Sequence, residues 1–441
     1  MSNVAQVVQV MQTVLNEPAN KLARETGFVQ RQSKLGGAEF AQALVFGWLA
    51  NPDATLEELS QTAIAVGVRV TPQAVHKRFT PQAAAYLEQL LQEAVRQVVQ
   101  AAPKALPILQ RFNGVYLTDS SVIPLPDVLA GVWAGCGGSA PEGTSAAVKL
   151  QVRVDYSKGS LQGPLLQAGR AHDQNSPLPT TPLPSGALHL ADLGYFKLDT
   201  LRDYDAQGVY WLVRPKVSTV IYDEHGQQTT FTDLLAAQPG VQADLAIQLG
   251  ASHCLPCRLL AVRVPPDEAQ KRRRQLHARA RKKGQTVSQA RLQLADWNYL
   301  ITNVLLAMLT VPEAMSVAAV RWQVELLFKL WKSEGMLDKS RSHKPWRVLC
   351  EVYAKLLALL IQHWIFLVSC WSYPDRSLHK AAQTVRKQAF HLATVLANTE
   401  QLCEAVTLIQ HCLALGCRLN KRRKQPATFQ RLLDLPQRGL G

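Results

Sequence analysis

A chain of 441 residues with 47% hydrophobic composition is long enough to bury a sizeable core, and the length suggests roughly two to four structural units. A net charge of +15 and a pI near 9.5 imply an acidic polymer as partner. Eight cysteines scattered along the chain exclude a disulfide scaffold and fit a reducing compartment.

The opening MSNVAQVVQVMQ lacks a basic leader followed by a continuous apolar run, so a cytoplasmic protein with no signal peptide is expected. Helical patterning fills the first fifty residues, with breaks at Gly36-Gly37 and Asn51-Pro52. From Thr55 the sequence predicts a capped helix, a turn at Gly67, and a second helix with Thr71 as N-cap and Pro72 at its first position. This has helix-turn-helix form. The second helix would offer Gln73, His76, Lys77 and Arg78 to a DNA major groove and leave Ala74, Val75 and Phe79 for packing.

From about Val115 the pattern changes to strands. They are predicted over Val115 to Val122, Ala147 to Val154, Leu161 to Gly169 and Leu188 to Leu193, followed by a helix from Lys197 to Gln207 and a strand from Val209 to Arg214. That order is the one expected of a ribonuclease H-like α/β core. Two strand-end aspartates stand in it, Asp119 in GVYLTDSSVI and Asp192 in ALHLADLGYF. A Gly-rich loop from Ala134 to Thr144 separates the first two strands, and is read as a mobile loop near the active-site face.

The next 132 residues, between Asp192 and Glu325, are too many for one connection and imply an insertion domain. Short strand runs at Ser218 to Tyr222, Leu255 to Val264 and Tyr299 to Val304 make it β-rich. Between Arg258 and Arg291 lie eleven Lys or Arg residues against two acids, Asp267 and Glu268, which suits nucleic acid. Cys254 and Cys257 form a single CxxC beside His253 with no second pair at zinc-ribbon spacing, so packing or a turn is the reading there.

The segment Arg321 to Lys332, RWQVELLFKLWK, sets an acid between two bases on one helical stripe: Glu325 lies about 40° and Lys332 about 20° around from Arg321. Val317, Val320, Val324, Leu327, Phe328 and Trp331 make the opposite, core-facing stripe. Beyond it, Lys339, Arg341, Lys344 and Arg347 suit contacts to a phosphate backbone. The apolar run from Val348 to Trp371 nearly matches a membrane span, yet holds Glu351, Lys355, Gln362 and His363, so a buried core helix is expected and no membrane. Helices continue to about Cys412, and KRRK from Lys421 to Lys424 begins a polar tail suited to dimer or DNA contacts. Two aspartates and a helical glutamate are hard oxygen ligands of the kind that hold a pair of Mg2+ ions for phosphoryl transfer.

With these residues the chain resembles the DDE transposases of bacterial insertion sequences, in particular the IS-four family that includes the Tn-five and Tn-ten enzymes. The resemblance covers nearly the whole chain. That family carries a Tyr-x2-Arg-x3-Glu-x6-Lys signature, of which Arg321, Glu325 and Lys332 fill three positions, while Ala318 stands at the tyrosine's. TDSSVIPLP around Asp119 and DLGYF around Asp192 look like its two aspartate blocks. The resemblance implies that Asp119, Asp192 and Glu325 are catalytic ligands of two Mg2+ ions, with Mn2+ able to substitute, and that Arg321 and Lys332 hold the phosphates of the element end; Lys329, between them, is also expected to bind DNA. Trp297 would be a base-stacking tryptophan, 28 residues before the glutamate. It implies cut-and-paste transposition by a homodimer on double-stranded DNA, both terminal inverted repeats and target.

The division expected is a helical DNA-binding domain over 1–105, core over 106–215, a β-rich insertion domain over 216–304, core again over 305–372 and a helical C-terminal region over 373–441. An inactive or repurposed end-binding protein, or a nuclease without strand transfer, remains an alternative.

Overall fold

The computed structural model describes residues 3–31, 33–137, 145–178, 181–282, 284–422, 424 and 426–435. It is a mixed α/β protein with a large sheet. Helices come first: α1 (Val4–Leu15), α2 (Glu17–Glu25), α3 (Gly37–Ala50), α4 (Leu56–Ala65), α5 (Pro72–Lys77) and α6 (Pro81–Val95). Their starts follow local chemistry. Asn3, Thr71 and Thr80 each accept a backbone N–H three residues on, and Thr55 with Glu58 closes a reciprocal capping box at α4. Gly67 turns the chain between α4 and α5 at φ +94°, a conformation side chains disfavour. Gly37 serves a different need, since a Cβ there would stand 2.4 Å from that of Ala23 where α3 crosses α2.

Next come β1 (Val115–Leu125), β2 (Ala146–Asp155), β3 (Leu161–Ala168), β4 (Leu188–Ala191), α7 (Leu198–Ala206) and β5 (Tyr210–Val213). The predicted strands and helix all form, with β1 running on to Leu125 because Ile123 and Leu125 also bury their side chains. The Gly-rich loop falls largely on residues 138–144, outside the described residues. The following interval holds β6 (Ile221–Tyr222), β7 (Gln228–Thr229), α8 (Phe231–Ala236), β8 (Gln242–Leu249), β9 (Leu255–Arg263), α9 (Pro266–Lys282), α10 (Gln289–Gln293) and β10 (Trp297–Thr302). The chain ends through α11 (Val311–Ala318), α12 (Trp322–Ser333), α13 (Pro345–Ser369), α14 (Leu378–Val395), α15 (Thr399–Leu415) and α16 (Thr428–Leu433).

Two compact units divide the chain. The first comprises residues 1–105, 119–171 and 323–422. Its axis is α13, packed against α1, α3, α6, α14 and α15. By length and composition α13 could cross a membrane, but 94% of its most apolar window is buried within the unit. Several of its polar groups find partners there: Lys355 pairs with Glu351 at 2.8 Å, and His363 Nε2 meets the Gly159 carbonyl at 2.8 Å. An antiparallel pair, β2 with β3, completes the unit beside the later part of β1.

The second unit comprises residues 106–118, 172–322 and 423–441. Its strands run in the order β1, β4, β5, β10, β9, β8, β6, β7. The β1–β4 and β4–β5 pairs are parallel, and every pair from β5–β10 outward is antiparallel. The strands of 216–304 therefore extend one sheet and do not build a separate one. Trp211, Phe231, Tyr299 and Ile301 lie in its core.

Candidate active site and nucleic-acid interface

Parallel pairing of β1 with β4 ends at Thr118 opposite Ala191, and each of these residues is followed by one of the two aspartates. Each aspartate follows the last residue of its own strand in that pairing, two residues beyond the buried Leu117 and Leu190 respectively. The two differ locally. Asp119 is the fifth residue of an eleven-residue strand and not a strand-end residue as expected, and its Oδ1 accepts the Ser120 N–H at 2.8 Å. Asp192 does leave the end of β4, stays extended at φ −75° and ψ 165°, and opens a 3-10 turn over Leu193–Tyr195.

Glu325 sits in the first turn of α12, half-buried, with Val324, Leu327, Phe328 and Trp331 turned into the core as the periodicity predicts. Arg321 is not on that helix. It closes a 3-10 turn, Ala319–Arg321, between α11 and α12, so the 100° wheel does not carry back through it to Ala318. Val317 near the end of α11 and Val320 in the turn are both fully buried. Lys332, two helical turns after Glu325, donates from Nζ to the Val122 carbonyl at 3.0 Å, three residues beyond Asp119. Lys329 is exposed on the same helix.

Helices α4 and α5 pack against each other, and α5 has only six residues. Val75 is buried, and Phe79 packs against Phe40 and Trp48. Ala74 was expected to pack and is exposed instead, alongside Gln73 and Lys77, because so short a helix buries a single side chain. Arg78 is turned inward: its guanidinium lies 4.1 Å from the Phe28 ring centroid and donates to the Leu35 carbonyl. His76 faces Lys344, Nε2 to Nζ at 3.0 Å, and burial with the nearby Lys344 and Arg347 charges lowers its pKa. Arg341 pairs with Asp53 at 2.5 Å, and Arg347 lies over Phe79. The basic segment after α12 therefore lies against α5, leaving Gln73, Lys77, Lys339 and His343 outward.

Trp297 begins β10 and is 4% exposed. Arg263 covers its ring at 4.6 Å from the centroid, so the face a base would need is occupied by a guanidinium. Thr302-Asn303-Val304 has a structural task that spacing did not reveal. The Asn303 side chain accepts from Trp211 N and donates to the Val209 carbonyl, and Thr302 Oγ1 donates to the Trp211 carbonyl, clasping β10 to β5.

The three carboxylates suit a hard divalent cation in donor type. Among the described residues, however, no three His, Cys, Asp or Glu side chains are gathered into a metal-holding group. His253 bonds Asp199, Cys254 turns the chain at φ +43° and Cys257 is buried, consistent with the packing reading of the CxxC.

The family match and the relatives put this mixed α/β chain in a class of enzymes acting on DNA. The chain belongs to the transposase DDE domain family, whose model matches residues 110–361. It is similar to the transposase for insertion sequence element IS231F of Bacillus thuringiensis subsp. israelensis, 25% identical over 96% of this chain and 94% of that protein. It is also similar to the transposase for insertion sequence element IS1151 of Clostridium perfringens, 26% identical over 79% and 78%. A shorter likeness, 32% identical over 28% of this chain and 33% of the other, joins it to the putative transposase InsL for IS186A of Escherichia coli strain K12.

Proposed function

We propose that this protein carries out cut-and-paste DNA transposition: it binds the terminal inverted repeats of its element, cleaves the ends and joins their 3′-hydroxyls to target DNA. Its core is ribonuclease H-like, and Asp119, Asp192 and Glu325 would hold two Mg2+ ions, for which Mn2+ would substitute. The ions would activate the attacking oxygen and stabilise the leaving one. The observation that supports this reading is the register Thr118 to Ala191, the last parallel pair before each aspartate in the chain. Glu325, held in the first turn of α12, supplies the third hard oxygen donor.

The protein's own groups then position phosphates. Lys332, with one N–H used on Val122, retains two donors for a phosphate, and Arg321 and Lys329 add charge nearby in sequence. Ala318, in place of a tyrosine, offers only a methyl group, so the strand end is held by charge. Gln73, His76, Lys77 and Arg78 with Lys339, Arg341 and Lys344 form the end-recognition face of the helical domain over 1–105. Arg78 serves it by bracing α5 through Phe28. A stacking role for Trp297 requires the Arg263 guanidinium to leave its ring. The insertion domain spans 216–304, the core 106–215 and 305–372, and the C-terminal region 373–441. Two protomers act on two ends, in the cytoplasm.

The test is strand transfer from the element's pre-cleaved ends with Mg2+ or Mn2+, comparing the native chain with Glu325→Ala. Joined products from the native chain alone support the reading, and Glu325→Ala should still bind ends. A second reading, a non-catalytic end-binding protein, is favoured by one observation, the absence of a gathered three-carboxylate group among the described residues. Binding without joining in both proteins would establish it.

A further inference from the structure

Helix α9 carries the densest basic run described, and its two faces have different chemistry. At about 100° per residue, Ala269, Arg272, Arg273, Leu276 and Ala280 fall within an arc of roughly 100°. All five are buried or half-buried. The two arginines among them are committed to the protein. Arg272 donates to the Trp297 carbonyl and, at 2.9 Å, to Asn298 Oδ1. Arg273 pairs with Asp296 and donates to the Leu292 carbonyl. They fasten α9 to the start of β10.

The opposite face is exposed. Lys271, Arg274, Arg281 and Lys282 fall within another arc of roughly 100° there, with Ala278 between them. Lys271 has only a long 3.7 Å ion pair with Glu268, at 66% exposure. The helix dipole accounts for cations in the last turn, where Arg279, Arg281 and Lys282 stand, but not for Lys271 and Arg274 on the same stripe in its first half. From Arg274 to Arg281 is about 10.5 Å of helix, close to three base-pair rises of 3.4 Å.

We propose that the outer face of α9 is a sequence-independent clamp on the phosphate backbone of duplex DNA, formed by Lys271, Arg274, Arg281 and Lys282. This rests on the transposase reading and goes beyond it by assigning a second DNA surface, distinct from the end-recognition face. Beyond Asp267 in the first turn, the stripe carries four long cationic side chains with the small Ala278 between them; that pattern suits point-charge contact with phosphates and not hydrogen bonding to base edges.

The test is binding of the full chain to a random-sequence duplex across a salt series. The comparison is with a variant carrying Lys271→Gln, Arg274→Gln, Arg281→Gln and Lys282→Gln, and with Arg274→Lys/Arg281→Lys. Each phosphate contact contributes about 0.9 to the slope of log affinity against log salt, so the glutamine variant should lose about 3 to 4 of that slope. From 50 to 200 mM salt the native chain should then lose roughly 100-fold more affinity than the variant. The lysine variant should keep the native slope, because point charges remain. An unchanged slope in the glutamine variant, a loss in the lysine variant as large, or a loss seen only with single-stranded DNA overturns the proposal. End joining by the native chain separates the outcomes: joining with an unchanged slope sinks the clamp alone, whereas a native chain that binds no duplex sinks both readings.

Discussion

His363 shows how a single residue ties stability to pH. Buried in α13, its Nε2–H donates to the Gly159 carbonyl, with the Trp371 ring 5.3 Å away. Burial pulls its pKa down to about 4; the Gly159 carbonyl opposes this, and the buried Lys104 ammonium adds to it. The folded state therefore refuses a proton that the unfolded chain takes below its ordinary value near 6.5. Stability from this residue is whole above pH 6.5 and is lost progressively as pH falls towards 4. Between pH 7.5 and 5.5 the native chain should lose roughly 1 kcal/mol that His363→Gln does not. Urea midpoints for the two proteins at both pH values check this, and parallel shifts would refute it.

At the scale of elements, α13 holds the chain that follows the glutamate helix. Lys355 donates to the Met336 and Lys339 carbonyls, both at 2.9 Å, while Ser340 donates to Glu351. One buried ion pair thus anchors the segment 336–340. Lys355→Met removes the cation and leaves Glu351 buried beside a single hydroxyl donor, which should cost about 3 to 5 kcal/mol. Denaturant unfolding measures the loss, and faster amide exchange at 336–340 should accompany it. A cost under about 1 kcal/mol would show that water replaces the lysine. The predicted caps and strands were legible because each rests on contacts within a few residues, as at Thr55 with Glu58. The break in winding before Trp322 was not legible, because the spacing of the buried Val317, Val320 and Val324 fits a continuous helix equally well.

For the whole molecule, the proposed metal ligands lie on β1, on the exit of β4 and on α12, far apart in sequence. Cations bound there must stabilise the folded chain whether or not DNA is present, by an amount set by their concentration relative to the dissociation constant. Mg2+ or Mn2+ at about 100 times that constant should add about 2.7 kcal/mol, raising the melting temperature of the native chain but not of Asp119→Asn. Equal shifts in both would place the bound metal elsewhere.

The sequence alone determined the caps of α4 and α5, the strands β1 to β5, the apolar stripe leading into α12, the buried character of α13 and the residues that place the chain among DDE transposases. These follow from short-range periodicity, turn chemistry and motif spacing. Only the tertiary structure decided that Asp119 lies mid-strand, that Arg263 covers Trp297 and that Arg78 turns inward. It also decided that the strands of 216–304 join the sheet through β10 and β5, and that α9 has one face bound by its own arginines and one left to solvent. The reason is physical: each depends on a partner many residues away, and local sequence fixes the direction in which a side chain leaves the backbone but not what it meets.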